Sequence, residues 1–314
     1  MTLLLLTCRD DFDVPELVAA ALQSLGCRAL RVDSDLFPGV HALSVDEAGW
    51  HLQVDGVAVD EVSAVWCRRR WPGVGLAVAP QWRPGCAAQG RGLLSAWLRD
   101  PHVHVVNNVD AEDIAEDKVL QLRLARGLGF AVPETLVSNE PARVRAFVDV
   151  VRQNGGRVVT KLLTPLLTSM AAQDGFFHTA AVDDVALAHV DEVIHAPQIF
   201  QRAIDKVLEL RVQVIGTEVF VGALPATSQD WRQQREGTWQ HHSLSATTAN
   251  RCLALVKALG LVTGAIDLLV DAEGTEWFLE VNPSGEWGFL QAELGLHIAQ
   301  ALALELVAAQ RGRR

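Results

Sequence analysis

The first hundred residues alternate short apolar runs with amphipathic stretches, which is the pattern of a small α/β lobe. Residues 3–6 are all leucine and predict a buried strand, whereas residues 14–25 predict a helix that ends at Gly26. Asp55 and Gly56 predict a tight hairpin turn. Four further segments have the composition of short strands: residues 28–32, 50–54, 56–59 and 62–66.

After residue 107 the pattern changes to a longer helix followed by a buried strand. Asp110 is predicted to cap this helix, whose leucines recur at every fourth position. Residues 157–163 then predict a strand that Lys161 interrupts. A lysine in such an apolar strand needs a negative partner, because an isolated buried charge is costly. The partner is either a nucleotide phosphate or an internal carboxylate.

The last third of the chain is the richest in predicted strands. Residues 209–214 alternate polar and apolar side chains strictly, so Glu209 and Arg211 share one face of a strand. Residues 219–224 are predicted to pair with that strand through a turn at Gly216. A second hairpin is predicted from two further segments, residues 265–270 and 276–282.

The second hairpin carries candidate metal ligands. Glu280 and Asn282 project from the same face of their strand. If Val270 pairs with Thr275, Asp267 lies opposite Phe278 and joins that face. Two carboxylates and an amide oxygen then converge, and hard oxygen ligands of this kind suit Mg²⁺. The alternative is that both acids are ordinary solvent-facing residues.

A metal that binds phosphates needs cations beside it. Four basic residues are candidates: Lys118, Lys161, Arg211 and Arg232. Arginine binds phosphate in a fork and keeps its proton, so Arg211 and Arg232 could neutralise phosphoryl charge. Taken singly, the favoured interpretation is a surface position for Lys118 and a structural ion pair for each arginine, so the functional interpretation rests on the order of the whole set.

Composition narrows the class of protein. Apolar residues make up 49% of the 314 residues and charged residues 21%, which is typical of a soluble globular protein. The net charge of −11 argues against a nucleic-acid surface, although Arg68, Arg69 and Arg70 form a local basic run. No apolar run is long enough for a membrane helix. The five scattered cysteines fit reduced thiols, so a cytoplasmic location is expected.

The order of these residues resembles the ATP-grasp superfamily, in particular its RimK-like branch and, within it, the microviridin-type ligases that make graspetides. The stretches that carry the resemblance are residues 66–70, 116–118, 209–212, 230–232 and 278–287. The resemblance implies an α/β ATP-grasp fold in three parts. They are an N-terminal Rossmann-like pre-ATP-grasp domain (1–107), a central subdomain (108–200) and a C-terminal subdomain with the metal hairpin (201–314).

The resemblance also implies roles for individual residues. Lys118 and Lys161 would contact ATP, Glu209 would hold the ribose, and Arg211 with Arg232 would neutralise the transferred phosphate. The hinge that reads adenine would be Gln201, Arg202, Ala203 and Ile204, and the Mg²⁺ ligands would be Asp267, Glu280 and Asn282. Two departures stand out: residues 162–170 contain no glycine, and Gln201-Arg202 replaces a commonly acidic hinge.

The implied activity is ligation through an acyl phosphate. Asp or Glu side chains of a ribosomal precursor peptide would be activated by ATP and joined to Thr or Ser hydroxyls, or to Lys amines, as macrocycles. The leader of the precursor would dock on the enzyme, Arg68, Arg69 and Arg70 would meet acidic substrate side chains, and relatives suggest a homodimer. Two alternatives remain: a RimK-like ligase that adds an amino acid to a small molecule or a protein C-terminus, and a non-catalytic ATP- or peptide-binding module.

Overall fold

The computed structural model describes residues 2–11, 13–59, 62–70, 76–164, 179–226 and 238–311. The N-terminal part is an α/β unit, as the alternation of apolar runs predicts. Its elements, in chain order, are β1 (Thr2–Thr7), α1 (Asp13–Ser24), β2 (Arg28–Asp33), β3 (Ala42–Asp46), β4 (Gly49–Val54), β5 (Val57–Val59), β6 (Val62–Cys67), α2 (Arg83–Leu98) and β7 (Val105–Val106).

Two sheets make up this unit. The first is parallel with strand order β2-β1-β6-β7, and the second is the antiparallel meander β3-β4-β5. Leu3 and Leu5 of β1 belong to a core with α1, whereas Leu4 and Leu6 belong to a core with α2. Burial on both faces explains why this strand is continuously apolar.

The middle of the chain contains two helices and then a small antiparallel sheet. The elements are α3 (Val109–Ala115), α4 (Lys118–Gly127), β8 (Thr135–Ser138), α5 (Pro141–Gln153), β9 (Val158–Leu162), β10 (Ala180–Ala181), α6 (Asp184–Ala188) and β11 (Gln198–Arg202). The order in this central sheet is β10-β9-β11-β8. The apolar face of α5 packs against it through Val144, Val148 and Val151.

The single helix expected after Asp110 is wrong, because the structure has two helices there. Asn108 accepts hydrogen bonds from the N–H groups at the start of α3, and Asp117 does the same for α4. Asp117 has an extended backbone (ψ 96°), so the first helix ends before it. Asp110 therefore lies inside the first turn of α3 and is not the cap.

The C-terminal part is built on a five-stranded antiparallel sheet. Its elements are β12 (Lys206–Ile215), β13 (Glu218–Pro225), β14 (Gln240–His241), α7 (Ala246–Ala258), β15 (Thr263–Asp271), β16 (Glu276–Asn282), α8 (Gly288–Leu294) and α9 (Ile298–Arg311). The strand order is β14-β13-β12-β15-β16. The predicted turn between β12 and β13 is confirmed: Gly216 has φ +55°, and a Cβ there would lie 2.0 Å from Glu305.

Packing on the two faces of this sheet fixes the position of its hairpin. One face carries α4 and α7, whereas α8 and α9 share a core with α1 and with Leu3 and Leu5 of β1. The C-terminal helix thus packs on the N-terminal sheet, and the end of β6 lies beside the loop that follows β16. Within the described ranges, every helix is too short or too polar to span a lipid bilayer.

Candidate active site

The hairpin of β15 and β16 brings the predicted metal ligands to one face, although by a different register. The expected pairing of Asp267 with Phe278 is wrong: Leu268 pairs with Phe278, and Asp267 pairs with Glu280. Two one-residue shifts account for the difference. Val270 pairs with Glu276 and not with Thr275, and a β-bulge at Leu279 then inserts one extra residue into β16.

The bulge improves the convergence of the acids. Asp267 and Glu280 lie directly opposite each other, and residues directly opposite in an antiparallel pair project to the same face. Asn282 pairs with Ala265, two positions along each strand, and so shares that face. Both acids are only partly exposed, at 15% and 25% of the side-chain surface.

The donor set fits a magnesium ion that also binds phosphates. Mg²⁺ keeps several water molecules and usually takes one or two carboxylates, with its other ligands from substrate. Among the residues that the structure describes, no three His, Cys, Asp or Glu side chains form a metal site. A site with two carboxylates and the amide oxygen of Asn282 agrees with both observations.

Each of the two carboxylates has a cation beside it. Arg211, in β12, pairs with Asp267 across the sheet, and its Nη1 lies 3.2 Å from Asp267 Oδ1. Lys118 is the first residue of α4, and its Nζ lies 3.0 Å from Glu280 Oε2. Arg211 is 4% exposed. The predicted phosphate-binding cations therefore lie next to the predicted metal ligands.

The predicted nucleotide residues lie on β9, β11 and β12. Lys161 is opposite Ile199 in the central sheet, and the buried Gln201 donates a hydrogen bond to Thr135 Oγ1 at 3.0 Å. Glu209 is buried on the same face of β12 as Arg211 and forms an ion pair with Lys206.

The predicted hinge comprises the last two residues of β11 and the two residues that follow it. The N–H of Arg202 donates to Glu134 O, and the N–H of Ala203 donates to Arg157 O. In the described part of the chain, the N–H of Ile204 has no backbone acceptor. Arg232 and residues 165–170 lie outside the described residues.

Arg68 connects distant parts of the chain. Its side chain is 2% exposed, and its Nε lies 2.7 Å from Asp11 Oδ2. It also hydrogen-bonds Glu286, in the loop after β16, and lies over the ring of Trp66. Although burial opposes ionisation, Arg68 holds the pKa of Asp11 below its usual value.

The two neighbouring arginines also contact groups of the protein. Arg69 donates a hydrogen bond to Ser284 O at 2.9 Å, and burial lowers the pKa of its guanidinium. Arg70 lies 2.7 Å from Asp113 and 3.5 Å from Glu112. The three arginines thus lie where the N-terminal sheet meets the end of β16, the strand that carries the predicted ligands Glu280 and Asn282 and is called the metal strand below.

Sequence reasoning missed Glu112, a buried acid on α3. Burial raises its pKa to about 7, while Arg70 and a hydrogen bond with Asn107 oppose the shift. Glu112 lines a small cavity beside Ser284 with room for about one water molecule. The signal in the sequence is its position between Val109 and Ala115, which are the other buried positions of α3.

Sequence reasoning also missed Gln121 of α4. Its side chain is buried and forms two hydrogen bonds with the backbone of Val281, the residue between Glu280 and Asn282. A polar residue on the buried face of an otherwise amphipathic helix was the available signal.

Known proteins resemble the chain over nearly its whole length. The family described as MvdD pre-ATP grasp domain matches residues 2–113. The macrocyclase MdnC of Microcystis aeruginosa MRC, solved with its precursor peptide MdnA, is 30% identical with a TM-score of 0.89, covering 98% of this chain and 100% of that one. The macrocyclase MdnB of the same organism is 33% identical with a TM-score of 0.83, covering 98% and 99%.

A more distant relative shares the fold. The RiPP-associated ATP-grasp ligase of Chryseobacterium gregarium, solved with ADP and with leader and core peptides, is 24% identical, with a TM-score of 0.87 and coverage of 98% and 96%. No curated protein matches the chain. Because the chain is 30% and 33% identical to MdnC and MdnB over 98% of its length, it belongs to the family of ATP-grasp ligases that contains these two macrocyclases.

Proposed function

We propose that this protein is an ATP- and Mg²⁺-dependent ligase that activates Asp or Glu side chains of a ribosomal precursor peptide and closes them into macrocycles. The observation that carries the proposal is the pairing of Asp267 with Glu280, each beside a cation, in a chain of this family. Related ligases of this fold have been solved with a precursor, Mg and ADP. Thr and Ser hydroxyls would give esters, and Lys amines would give amides.

The two internal ion pairs support the proposed chemistry. Mg²⁺ with ATP supplies phosphoryl transfer to a carboxylate, which turns a poor electrophile into an acyl phosphate. Asp267, Glu280 and Asn282 would hold the metal. Arg211 and Lys118 would then exchange their carboxylate partners for phosphate oxygens, so the charges remain compensated while the carboxylates turn to the metal.

The placement of β9 and β11 supports a nucleotide site between the central sheet and β12. Gln201, Arg202, Ala203 and Ile204 would form the hinge, with the N–H of Ile204 directed to adenine. Lys161 would bind phosphate and Glu209 the ribose. Arg232, outside the described residues, remains a prediction for the transferred phosphate.

The basic run beside the metal strand is proposed to act on the acidic substrate. Arg69 and Arg70 are less buried than Arg68 and are the better candidates for contact with a peptide carboxylate. Arg68 would act by holding the end of β6 against the loop after β16. A homodimer and a cytoplasmic location remain predictions.

The test is incubation with Mg-ATP and a candidate precursor peptide rich in Thr and in Asp or Glu. We expect ADP formation and the loss of one water per ring in the intact mass, whereas Glu280→Ala should fold but form no ring. Hydroxylamine would cleave ester rings and spare amide rings. Ring formation by Glu280→Ala at the wild-type rate would contradict the metal assignment.

The same assay separates the alternatives. A gain in mass that equals an added amino acid would favour the RimK-like ligase. Nucleotide binding without any peptide-stimulated ADP release would favour a non-catalytic module.

A further inference from the structure

The metal strand β16 lies at the edge of its sheet. One side of it pairs with β15, and the other side faces α4. Backbone groups on the outer side of an edge strand have no neighbouring strand to bind. Near its start, β16 is held by Ala131, whose carbonyl accepts the N–H of Phe278 at 2.8 Å. The segment that carries the ligands needs another partner.

Gln121 is that partner. Its Nε2 donates to Val281 O at 2.8 Å, and its Oε1 accepts the N–H of Val281, also at 2.8 Å. The side-chain amide therefore binds the strand as a neighbouring strand would. A further hydrogen bond from Nε2 to Ala115 O, at 2.6 Å, anchors Gln121 to the end of α3. The side chain is 1% exposed.

The position of these bonds connects them to the metal site. Val281 lies between Glu280 and Asn282, and the bulge at Leu279 interrupts the ladder to β15 immediately before them. A bulge leaves the local ladder weaker, so the two ligands depend more on support from the outer side. Fixing both backbone groups of Val281 fixes the directions in which its two neighbours project.

The chemistry requires an amide. The amides of Asn and Gln carry a donor and an acceptor on one planar group at every pH, whereas His and the carboxylic acids do so in only one protonation state. Of the two amides, Gln has the length to reach from the helix to the strand. A leucine at position 121, of similar size, would remove the side-chain hydrogen bonds to both the N–H and the C=O of Val281. An ionised glutamate there could accept only the hydrogen bond from the N–H.

We propose that Gln121 is a positioning residue for metal binding: it holds β16 so that Glu280 and Asn282 present their oxygens to one ion. The proposal rests on the proposed function. The proposal assigns α4 two roles at the site. Lys118, at the start of α4, pairs with Glu280. Gln121, one turn later, holds β16.

The test measures Mn²⁺ binding by electron paramagnetic resonance in the presence of a non-hydrolysable ATP analogue. We expect Gln121→Leu to weaken Mn²⁺ binding by about tenfold or more, as loss of a supporting hydrogen bond around a metal does. Binding of the analogue without metal should stay near the wild-type value. Gln121→Glu keeps the size of the side chain and the hydrogen bond from the N–H of Val281, so its Mn²⁺ affinity should lie between those of the wild-type protein and Gln121→Leu. This variant provides the test if the leucine variant does not fold.

The matched control is Gln291→Leu. Gln291, a partly buried residue of α8, also accepts a hydrogen bond from a backbone N–H, that of Ala299 in α9, which lies outside the proposed metal site. It should lose stability and keep its Mn²⁺ affinity. If the wild-type protein does not bind Mn²⁺ with the analogue, the proposed function fails and this inference fails with it. If it binds and both Gln121 variants bind equally well, only the positioning role is overturned.

Discussion

The ammonium group of Lys118 has two alternative partners at the candidate active site. Without nucleotide it pairs with Glu280 at 3.0 Å, and in the proposed complex it binds phosphate. A metal ion that arrives alone must therefore compete with an internal cation for Glu280, and the same holds for Arg211 and Asp267. Metal and nucleotide are expected to bind together, because only the pair satisfies all four charges.

This exchange of partners predicts that Lys118→Met has opposite effects on the affinity of the protein for Mn²⁺ and on its affinity for an ATP analogue. Removing a partly exposed ion pair should tighten binding of Mn²⁺ alone by about three- to fivefold. Affinity for the ATP analogue should fall by about tenfold, because a charge-assisted bond to phosphate is lost. Calorimetric titration measures both. Lys257→Met, at an exposed position of α7, is the control, and equal weakening of both ligands would contradict the exchange.

Glu112 predicts a dependence of stability on pH with an unusual sign for an acid. Burial raises its folded-state pKa from 4.5 to about 7, and Asp113 and Glu116 act in the same direction against Arg70. Between these two values the folded state binds a proton that the unfolded state has lost. Stability from this residue is therefore present at low pH and falls as the pH rises to about 7.

Glu112→Gln tests this sign, because the amide is neutral at every pH. Relative to the wild-type protein, its free energy of unfolding should increase between pH 5 and pH 8, by at most about 3 kcal/mol. Urea unfolding at several pH values measures the difference. Glu273→Gln, at an exposed turn, is the control for the general effect of losing a carboxylate. A difference that does not change with pH would show that Glu112 ionises normally.

At the scale of elements, the loop after β16 is held by the end of β6. Arg68 hydrogen-bonds Glu286 and pairs with Asp11, and Arg69 binds Ser284 O. Gly285 permits this approach, because a Cβ there would lie 2.3 Å from the Cβ of Ala265. The loop is thus packed against both the N-terminal sheet and β15.

Arg68→Met should destabilise the fold because it leaves the carboxylate of Asp11, which is 9% exposed, without its main cation. Breaking a buried ion pair from one side costs about 3 kcal/mol or more. Arg152→Met removes an exposed pair with Asp184 and should cost less than about 1 kcal/mol. Chemical denaturation compares the two. Equal losses would indicate that Arg68 contributes only as a surface arginine does.

The sequence predicted some elements well because their signals are local. The hairpin of β4 and β5 follows from Asp55 and Gly56, both of which have positive φ. The register of β15 and β16 was not predictable, because it depends on the pairing of Val270 with Glu276 at the turn and on a bulge at Leu279.

The partners of Arg68 also could not be predicted from the sequence. They lie 57 and 218 positions away along the chain, so its charge was visible but its burial was not.

At the scale of the whole molecule, the cores differ in size. Within the described ranges, the core under the central sheet has eight buried apolar residues, whereas the core between the C-terminal sheet and α4 and α7 has nineteen. Resistance to local opening depends on such burial, so amides of β9 and α5 should exchange hydrogen faster than those of β12 and β15. The proposed nucleotide bridges these two regions.

Hydrogen exchange measured by mass spectrometry tests this difference. Adding Mg²⁺ with a non-hydrolysable ATP analogue should slow exchange in β9, β11 and β16, because a ligand that binds only the folded site opposes local unfolding there. The strand β4, which belongs to the N-terminal meander, should be unaffected. In Glu280→Ala the protection of β16 should be lost first, while the hinge after β11 still binds adenine. Uniform protection of β4 and β9 would instead mean that the nucleotide stabilises the whole chain as one unit, and the proposed site between the central sheet and β12 would lose its support.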